Sequence, residues 1–321
     1  MAIANLIQRC HISPPALQQQ LQTSHQKNQG LLVTDTSSAS RAAPVQPGAG
    51  LFRIYQATRY LSIKHSSYFH VYETLFGKYI GTQFTFVEVG VLNGGSLFMW
   101  REYFGPQARI IGIDLNPIAK KWEADGFEIH IGSQSDPTFW NKFLNKIGLI
   151  DVLLDDGGHT NLQQIVTAHS VLPFIRDGGM LVVEDTHCSY FTEFGNPHRY
   201  SFISFGKRVV DHLHARQSQV RAIAGDYGAC IASVRFFESI VAFEVDRRLC
   251  FKPEPTSNNG ISAAASDFRY EGSFALAIKA LETKSSFLSG LPLLWRLLKV
   301  FPYLLGLHAR IESRRMADLF K

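Results

Sequence analysis

The chain has 321 residues, 45% of them hydrophobic, enough for one large core with appended segments. Its formal charge of +5 sits at the ends: residues 1–50 carry +2 and residues 286–321 carry +4, leaving −1 between them, so no basic groove for nucleic acid crosses the core. Four scattered cysteines (Cys10, Cys188, Cys230, Cys250) supply neither a zinc module nor a disulfide framework and fit a reducing cytoplasm, and Ile3 to Ile7 is too short and lacks the preceding basic residues of a secretory signal.

Residues 1–50 are rich in Gln, Ser, Ala and Pro, with breakers at Pro14-Pro15 and from Pro44 to Gly50, and read as a flexible extension. Residues 51–83 form a helical lid or substrate-side segment, with a helix expected from Ile54 to Tyr79. Lys64, His65, Tyr68 and Tyr72 make this segment dense in polar aromatic groups. The helical spacing of Tyr68, Tyr72, Leu75 and Tyr79 fits a buried stripe as well as a lid over an active site.

Residues 84–252 read as a Rossmann-type α/β domain. Phe84 to Val89 is a short strand ending at Glu88, followed by Gly90, Asn93, Gly94, Gly95 and Ser96 and a helix from Leu97 to Tyr103. Glycines allow close backbone approach to a ligand and the helix start offers N–H groups, although a tight turn alone would explain them; neither a dinucleotide fingerprint nor a Walker loop is present. Arg109 to Asp114 is a second strand, with an acid about 20 positions after the glycines where a nucleoside ribose can be held. Glu128 to Gly132 is a third strand. Ser133 and Gln134 after it make either a simple turn or contacts to an adenine edge, and Asp136-Pro137 cap the next helix.

Ile150 to Leu154 enters Asp155-Asp156-Gly157-Gly158-His159, and Met180 to Val183 enters Glu184-Asp185-Thr186-His187. A helix from Asn161 to Ile175 and a turn at Gly178-Gly179 join them. In a parallel strand-helix-strand unit both acidic pairs emerge at one edge of the sheet, where their repulsion is costly unless a cation or protons compensate. An aromatic loop from Tyr190 to Asn196, a helix from Phe202 to Arg216, and a hairpin of Ile231–Phe237 with Ile240–Val245 complete the domain. Residues 253–321 read as a linker and an apolar, basic helical extension. Its apolar run Phe287 to Leu307 is interrupted by Pro292, Arg296, Lys299 and Pro302, so it covers the domain, joins copies into a homo-oligomer, or touches a membrane peripherally without spanning it.

Taken in order, Glu88-Val89-Gly90-Val91-Leu92-Asn93-Gly94-Gly95-Ser96, Gly112-Ile113-Asp114, Gly132-Ser133-Gln134-Ser135-Asp136, Asp155-Asp156-Gly157-Gly158-His159 and Glu184-Asp185 resemble the metal-dependent class I methyltransferases that act on sugar hydroxyls of macrolide antibiotics. Proteins named cephalosporin hydroxylases are similar. The resemblance covers about residues 60–245 and implies a doubly wound, seven-stranded, mostly parallel sheet closed by an antiparallel hairpin. It implies S-adenosylmethionine and Mg2+ as cofactors and O-methylation of a sugar, glycoside or polyol-containing natural product. The metal ligands then fall on Asp156, Glu184 and Asp185, and the general base on His159, with Asp155 or Asp156 as competitors for that role.

Glu88, Gly90, Asn93, Gly94, Gly95, Ser96, Asp114, Ser133, Gln134 and Asp155 become the expected cofactor contacts. Lys64, His65, Tyr68, Tyr72, His187 and Tyr190 become the expected substrate wall. Gly158 departs from the resemblance, which carries serine there. Two alternatives stand beside methyl transfer. A metal oxygenase would require two histidines and one carboxylate, against which the carboxylate-rich set argues; a non-catalytic protein would bind S-adenosylmethionine or a glycan.

Overall fold

Seven strands, β1 (Thr85–Val89), β2 (Arg109–Asp114), β3 (Glu128–Ile131), β4 (Ile150–Asp155), β5 (Ile175–Val183), β6 (Ile231–Phe237) and β7 (Ile240–Val245), pair in the order β3-β2-β1-β4-β5-β7-β6. The first five run parallel, and β7 is antiparallel to both of its neighbours. This is the doubly wound sheet with a terminal hairpin that the sequence led us to expect. The computed structural model describes residues 48–217, 220, 227–258, 260, 273–286 and 300–320. Most of the expected N-terminal extension (1–47) and of the apolar run (287–299) lies outside them.

Both faces of the sheet are covered, which is why its strands read as nearly continuous apolar runs. Side chains alternate along each strand, so Phe86, Ile110, Val152, Leu154 and Val182 pack on one face, while Val87, Ile111, Leu153, Leu181 and Val183 pack on the other. On the first face lie α1 (Ala49–Ala57), α2 (Tyr68–Phe76) and α3 (Gly95–Phe104); on the second lie α4 (Pro137–Ile147), α5 (Asn161–Val171) and α6 (Phe202–His214). Glu73 on α2 accepts N–H groups of Gly48 (2.8 Å) and Leu51 (2.9 Å), satisfying donors that the start of α1 would otherwise leave unpaired.

Two expectations about elements are corrected. The helix read from Ile54 to Tyr79 is interrupted, because residues 58–67 leave it as an irregular strap between α1 and α2. Local chemistry favours the break: the Thr58 hydroxyl turns back to the Ile54 carbonyl (2.9 Å), Tyr55 donates to the Ser62 carbonyl (3.0 Å), and hydroxyl and β-branched residues are poor helix formers. Likewise Gly178-Gly179 does not precede β5 but lies within it. Pairing with β4 steps from Ile150 opposite Ile175 to Val152 opposite Met180, and the extra residues bulge out with Gly178 at φ 87°.

Strand register positions the site. Val89 lies opposite both Ile113 and Asp155, and Asp155 lies opposite Val183. Gly90, Asp114, Asp156 and Glu184 therefore leave the sheet at one level, beside the reversal of strand order between β1 and β4 where open α/β sheets bind ligands.

The chain divides after Pro253 into two compact units. The second contains α7 (Ser273–Lys284) and α8 (Val300–Ser313), with Phe274 stacked on His308 at 5.5 Å between ring centroids. No helix among the described residues is long and apolar enough to cross a membrane.

Candidate active site

Backbone and side chain interlock around the glycine loop. Gly90 has φ 92°, and a side chain there would strike the Asp156 backbone, so this glycine lets the β1 and β4 loops touch. Gly95 is equally confined: a Cβ would lie 2.6 Å from the Leu61 carbonyl, which places the strap directly over the start of α3. Asn93 is exposed. Asp114 accepts N–H groups from Val91 (2.9 Å), Leu92 (3.1 Å) and Asn116 (2.7 Å), so its carboxylate shapes the loop while keeping further lone pairs at a half-exposed position. Trp122, which no motif in the sequence singled out, packs on Gly94 and against Tyr60 and Phe98; its buried Nε1–H has no partner among the described residues.

Several expected cofactor contacts turn out to face inward. Glu88 is fully buried and accepts from Ser96 Oγ (2.7 Å) and Trp100 Nε1 (3.1 Å), so Glu88 and Ser96 spend their polar groups on each other. Burial pushes the Glu88 carboxyl up to about 7, helped by Asp156 and opposed by Lys64. Gln134 donates to Asp155 (2.9 and 3.1 Å) and accepts from Gly158 N–H (2.8 Å), so its amide ties the end of β4 to the turn that follows. Asp155 also accepts from Gly157 N–H (3.2 Å); burial raises its carboxyl, and it supports the turn. Ser133 pairs with Ser135 (2.9 Å). At Gly158 a serine would collide with Gln163, whose amide closes a capping box with Thr160 at the start of α5.

Beyond the turn, the acid cluster divides around Lys64. Its ammonium, on the strap, lies 2.7 Å from Asp156 Oδ2, 3.1 Å from Glu184 Oε2 and 3.7 Å from Glu88 Oε1. Burial pulls the Lys64 pKa down, but Asp156, Glu184 and Glu88 together raise it above the ordinary value, so it remains an ammonium. Three carboxylates share this one cation. Burial, and then the negative charge of Asp156, hold Glu184 well above the usual carboxylate range; Tyr72 donates to it at 2.5 Å, and Gln164 donates to its backbone carbonyl at 2.9 Å.

Asp185 is nearly as buried but sits among imidazoles. His159 Nε2 is 3.4 Å from Oδ2, His65 Nε2 is 3.8 Å and His187 Nδ1 3.9 Å from Oδ1, and Tyr68 donates to Oδ1. Burial alone would raise the Asp185 carboxyl, but His159, the Tyr68 hydrogen bond, His65 and His187 outweigh it and hold it below the usual range. Asp185 (φ 53°) and His159 (φ 59°) both occupy the left-handed region, a costly backbone choice for residues with side chains and one concentrated at functional sites.

Among the described residues two trios have donor atoms within 4.8 Å of one another: Asp156, His159 and Asp185, and His65, Asp185 and His187. Glu184 belongs to neither. Of the expected ligands, Asp156 and Asp185 come together beside His159, whereas Glu184 is hydrogen-bonded by Lys64 and Tyr72. The second trio is the two-histidine, one-carboxylate grouping that the acidic sequence pattern argued against; the histidines come from separate elements that only the fold joins. Lys64, His65, Tyr68, Tyr72 and His187 all reach the cluster, whereas Tyr190 is exposed at the end of the Thr186–Tyr190 turn, outside both trios.

No protein-family model matches the chain. The resemblance read from the sequence is borne out by its relatives. The chain is 30% identical over 179 residues to the 8-demethyl-8-α-L-rhamnosyl tetracenomycin-C 2'-O-methyltransferase of Streptomyces olivaceus, covering 50% of this chain and 47% of that protein. It is 31% identical over 160 residues to the mycinamicin VI 2''-O-methyltransferase of Micromonospora griseorubida, covering 46% and 39%. The chain thus spans less than half the length of these relatives. The solved structure of MycE methyltransferase in complex with Mg, SAH and mycinamycin VI superposes with a TM-score of 0.55 at 23% identity, over 64% of this chain and 54% of that one, and establishes a shared methyltransferase fold.

Proposed function

We propose that the chain is an S-adenosylmethionine-dependent O-methyltransferase acting on a hydroxyl of a sugar, glycoside or polyol-containing natural product, with a divalent ion, Mg2+, held by Asp156 and Asp185. The observation that carries the reading is the convergence, at one edge of the sheet, of the glycine loop, Asp114 and the Asp156–His159–Asp185 trio. Relatives named for methylating rhamnosyl and mycinamicin substrates supply the reaction class, and the complex of MycE with Mg and SAH supplies the cofactors.

The donors suit such an ion. Two carboxylates with room for water and substrate oxygens match the habits of Mg2+, and three carboxylates share the single Lys64 ammonium, with Asp185 beside them. A bound divalent ion supplies Lewis-acid polarisation of a sugar hydroxyl, and the sulfonium supplies the methyl group. Trp122 Nε1, a buried donor beside Gly94 with no partner among the described residues, supports a ligand over the glycine loop.

The chain's own residues then position and deprotonate. Asp185 near Nε2 of His159 favours the Nε2–H tautomer, leaving Nδ1, which is buried without a partner among the described residues, to take the hydroxyl proton. The exposed apolar side chains Val300, Tyr303, Leu307 and Ile311 on α8 support the companion reading that residues 287–307 join copies of the chain or rest on a membrane surface.

The test is transfer of labelled methyl from S-adenosylmethionine to a glycoside panel, with and without chelator. Asp156→Asn should lose the chelator-sensitive turnover yet bind S-adenosylhomocysteine normally. His159→Gln should lower kcat by about 10² to 10⁴. Cofactor binding without turnover on any member of the panel would overturn the reading.

A further inference from the structure

We propose that His65, His187 and Asp185 Oδ1 form a second metal site, one that selects a first-row transition ion over Mg2+ and clamps the strap to the end of β5. Two donors each about 2.1 Å from one ion stand at most about 4.2 Å apart. The distances from Asp185 Oδ1 to His65 Nε2 (3.8 Å) and to His187 Nδ1 (3.9 Å) fall inside that limit; each of the three residues offers a ligand atom within 4.8 Å of the others, so an ion draws the two imidazoles together by less than an ångström. The two rings meet edge to face, with centroids 5.5 Å apart.

Donor chemistry sets the selectivity. Mg2+ favours oxygen ligands and an octahedral shell rich in water, whereas two imidazoles and one carboxylate suit Zn2+, Co2+ or Fe2+. The oxygen-rich alternative on this side is withdrawn by Lys64, whose ammonium holds Glu184. Asp185 can serve two ions because its oxygens face different ways: Oδ2 lies by His159 and Oδ1 by His65 and His187. Tyr68 donates to Oδ1, which leaves that oxygen a second lone pair.

The placement gives the site a mechanical role. His65 follows Lys64 on the strap, and the strap backbone at Tyr60 and Leu61 lies against Gly95 of the glycine loop. His187 belongs to the turn after β5. An ion shared by His65 and His187 fixes the strap over the loop that we assign to the cofactor. The metal site itself does not depend on that assignment or on methyl transfer.

Titration of the tag-free, metal-stripped full chain with Co2+ decides the matter by visible absorption and calorimetry. One equivalent should bind with the ligand-field bands of nitrogen coordination, Zn2+ should displace it, and a hundredfold excess of Mg2+ should not. His65→Gln and His187→Gln should each weaken Co2+ binding at least tenfold while Mg2+ binding changes less than threefold, with circular dichroism reporting the fold. If either variant fails to fold, the unmodified protein answers by NMR: saturating Zn2+ must shift the imidazole resonances of both His65 and His187. Unmoved resonances, or displacement of Co2+ by Mg2+, would overturn the site.

Discussion

Glu184 and Asp185 are adjacent in sequence and equally hidden from solvent, yet the two halves of the site in which they stand treat negative charge in opposite ways. On the lysine side, Glu184 shares one ammonium with Asp156 and Glu88, and burial with like charge drives its carboxyl up. On the histidine side, three imidazoles and Tyr68 around Asp185 drive its carboxyl down. The difference arises at the end of β5, where Asp185 takes a left-handed conformation and its side chain parts from that of Glu184. One acidic dipeptide thus supplies a carboxyl held by Lys64 and a carboxylate ringed by imidazoles, the second being the one we propose for a metal ion.

The lysine side should break hardest. Lys64→Met removes the ammonium that Glu88, Asp156 and Glu184 share and strands buried charge, for an expected loss of about 3–5 kcal/mol in stability at pH 7.5 by urea denaturation. A loss under 1 kcal/mol would mean that this half tolerates its charge without Lys64, and the contrast with the Asp185 side would fail.

A smaller effect follows from Glu88. Its folded pKa of about 7 lies above the ordinary value of 4.5, so between those values the native state holds a proton that the unfolded chain has released. Stability therefore falls as pH rises from about 4.5 to 7, by on the order of 3 kcal/mol from this group, and the loss is complete above that window. Glu184, raised by the same causes, acts in the same direction. Urea denaturation at pH 5.5 and pH 8 should show the decline, and Glu88→Gln should flatten part of it. Stability that rises across this range would reverse the assignment of charge on the lysine side.

The sheet was legible because both of its faces are buried: apolar runs such as Ile150–Leu154 and Met180–Val183 have no other use, and the hairpin about Glu238-Ser239 fell where its alternation placed it. The level at which Gly90, Asp114, Asp156 and Glu184 emerge followed from strand ends alone. The side-chain partners were not legible in the same way. That Lys64 is a counter-ion depends on residues 92 and 120 positions away, and that Gln134 serves Asp155 depends on one 21 positions away. Helical spacing marked Tyr68 and Tyr72 as a buried stripe or a lid; they are buried, with hydroxyls directed at the acids, partners that spacing alone does not reveal. Trp122 carried no signal at all, since its importance is contact with Gly94.

The two tyrosines give the finest test, because each donates to one member of the acidic pair. Removing the Tyr68 hydroxyl leaves Asp185 with imidazoles at 3.4, 3.8 and 3.9 Å, too distant for good hydrogen bonds, so Tyr68→Phe should cost about 2 kcal/mol. Removing the Tyr72 hydroxyl leaves Glu184 its bond to Lys64 at 3.1 Å, and a carboxyl already held high can protonate, so Tyr72→Phe should cost only about 1 kcal/mol. Urea denaturation of both variants at pH 7.5 measures the order. Tyr72→Phe proving the more damaging would mean that Lys64 does not carry the charge of Glu184, and that the side depending most on a hydroxyl donor is the lysine side.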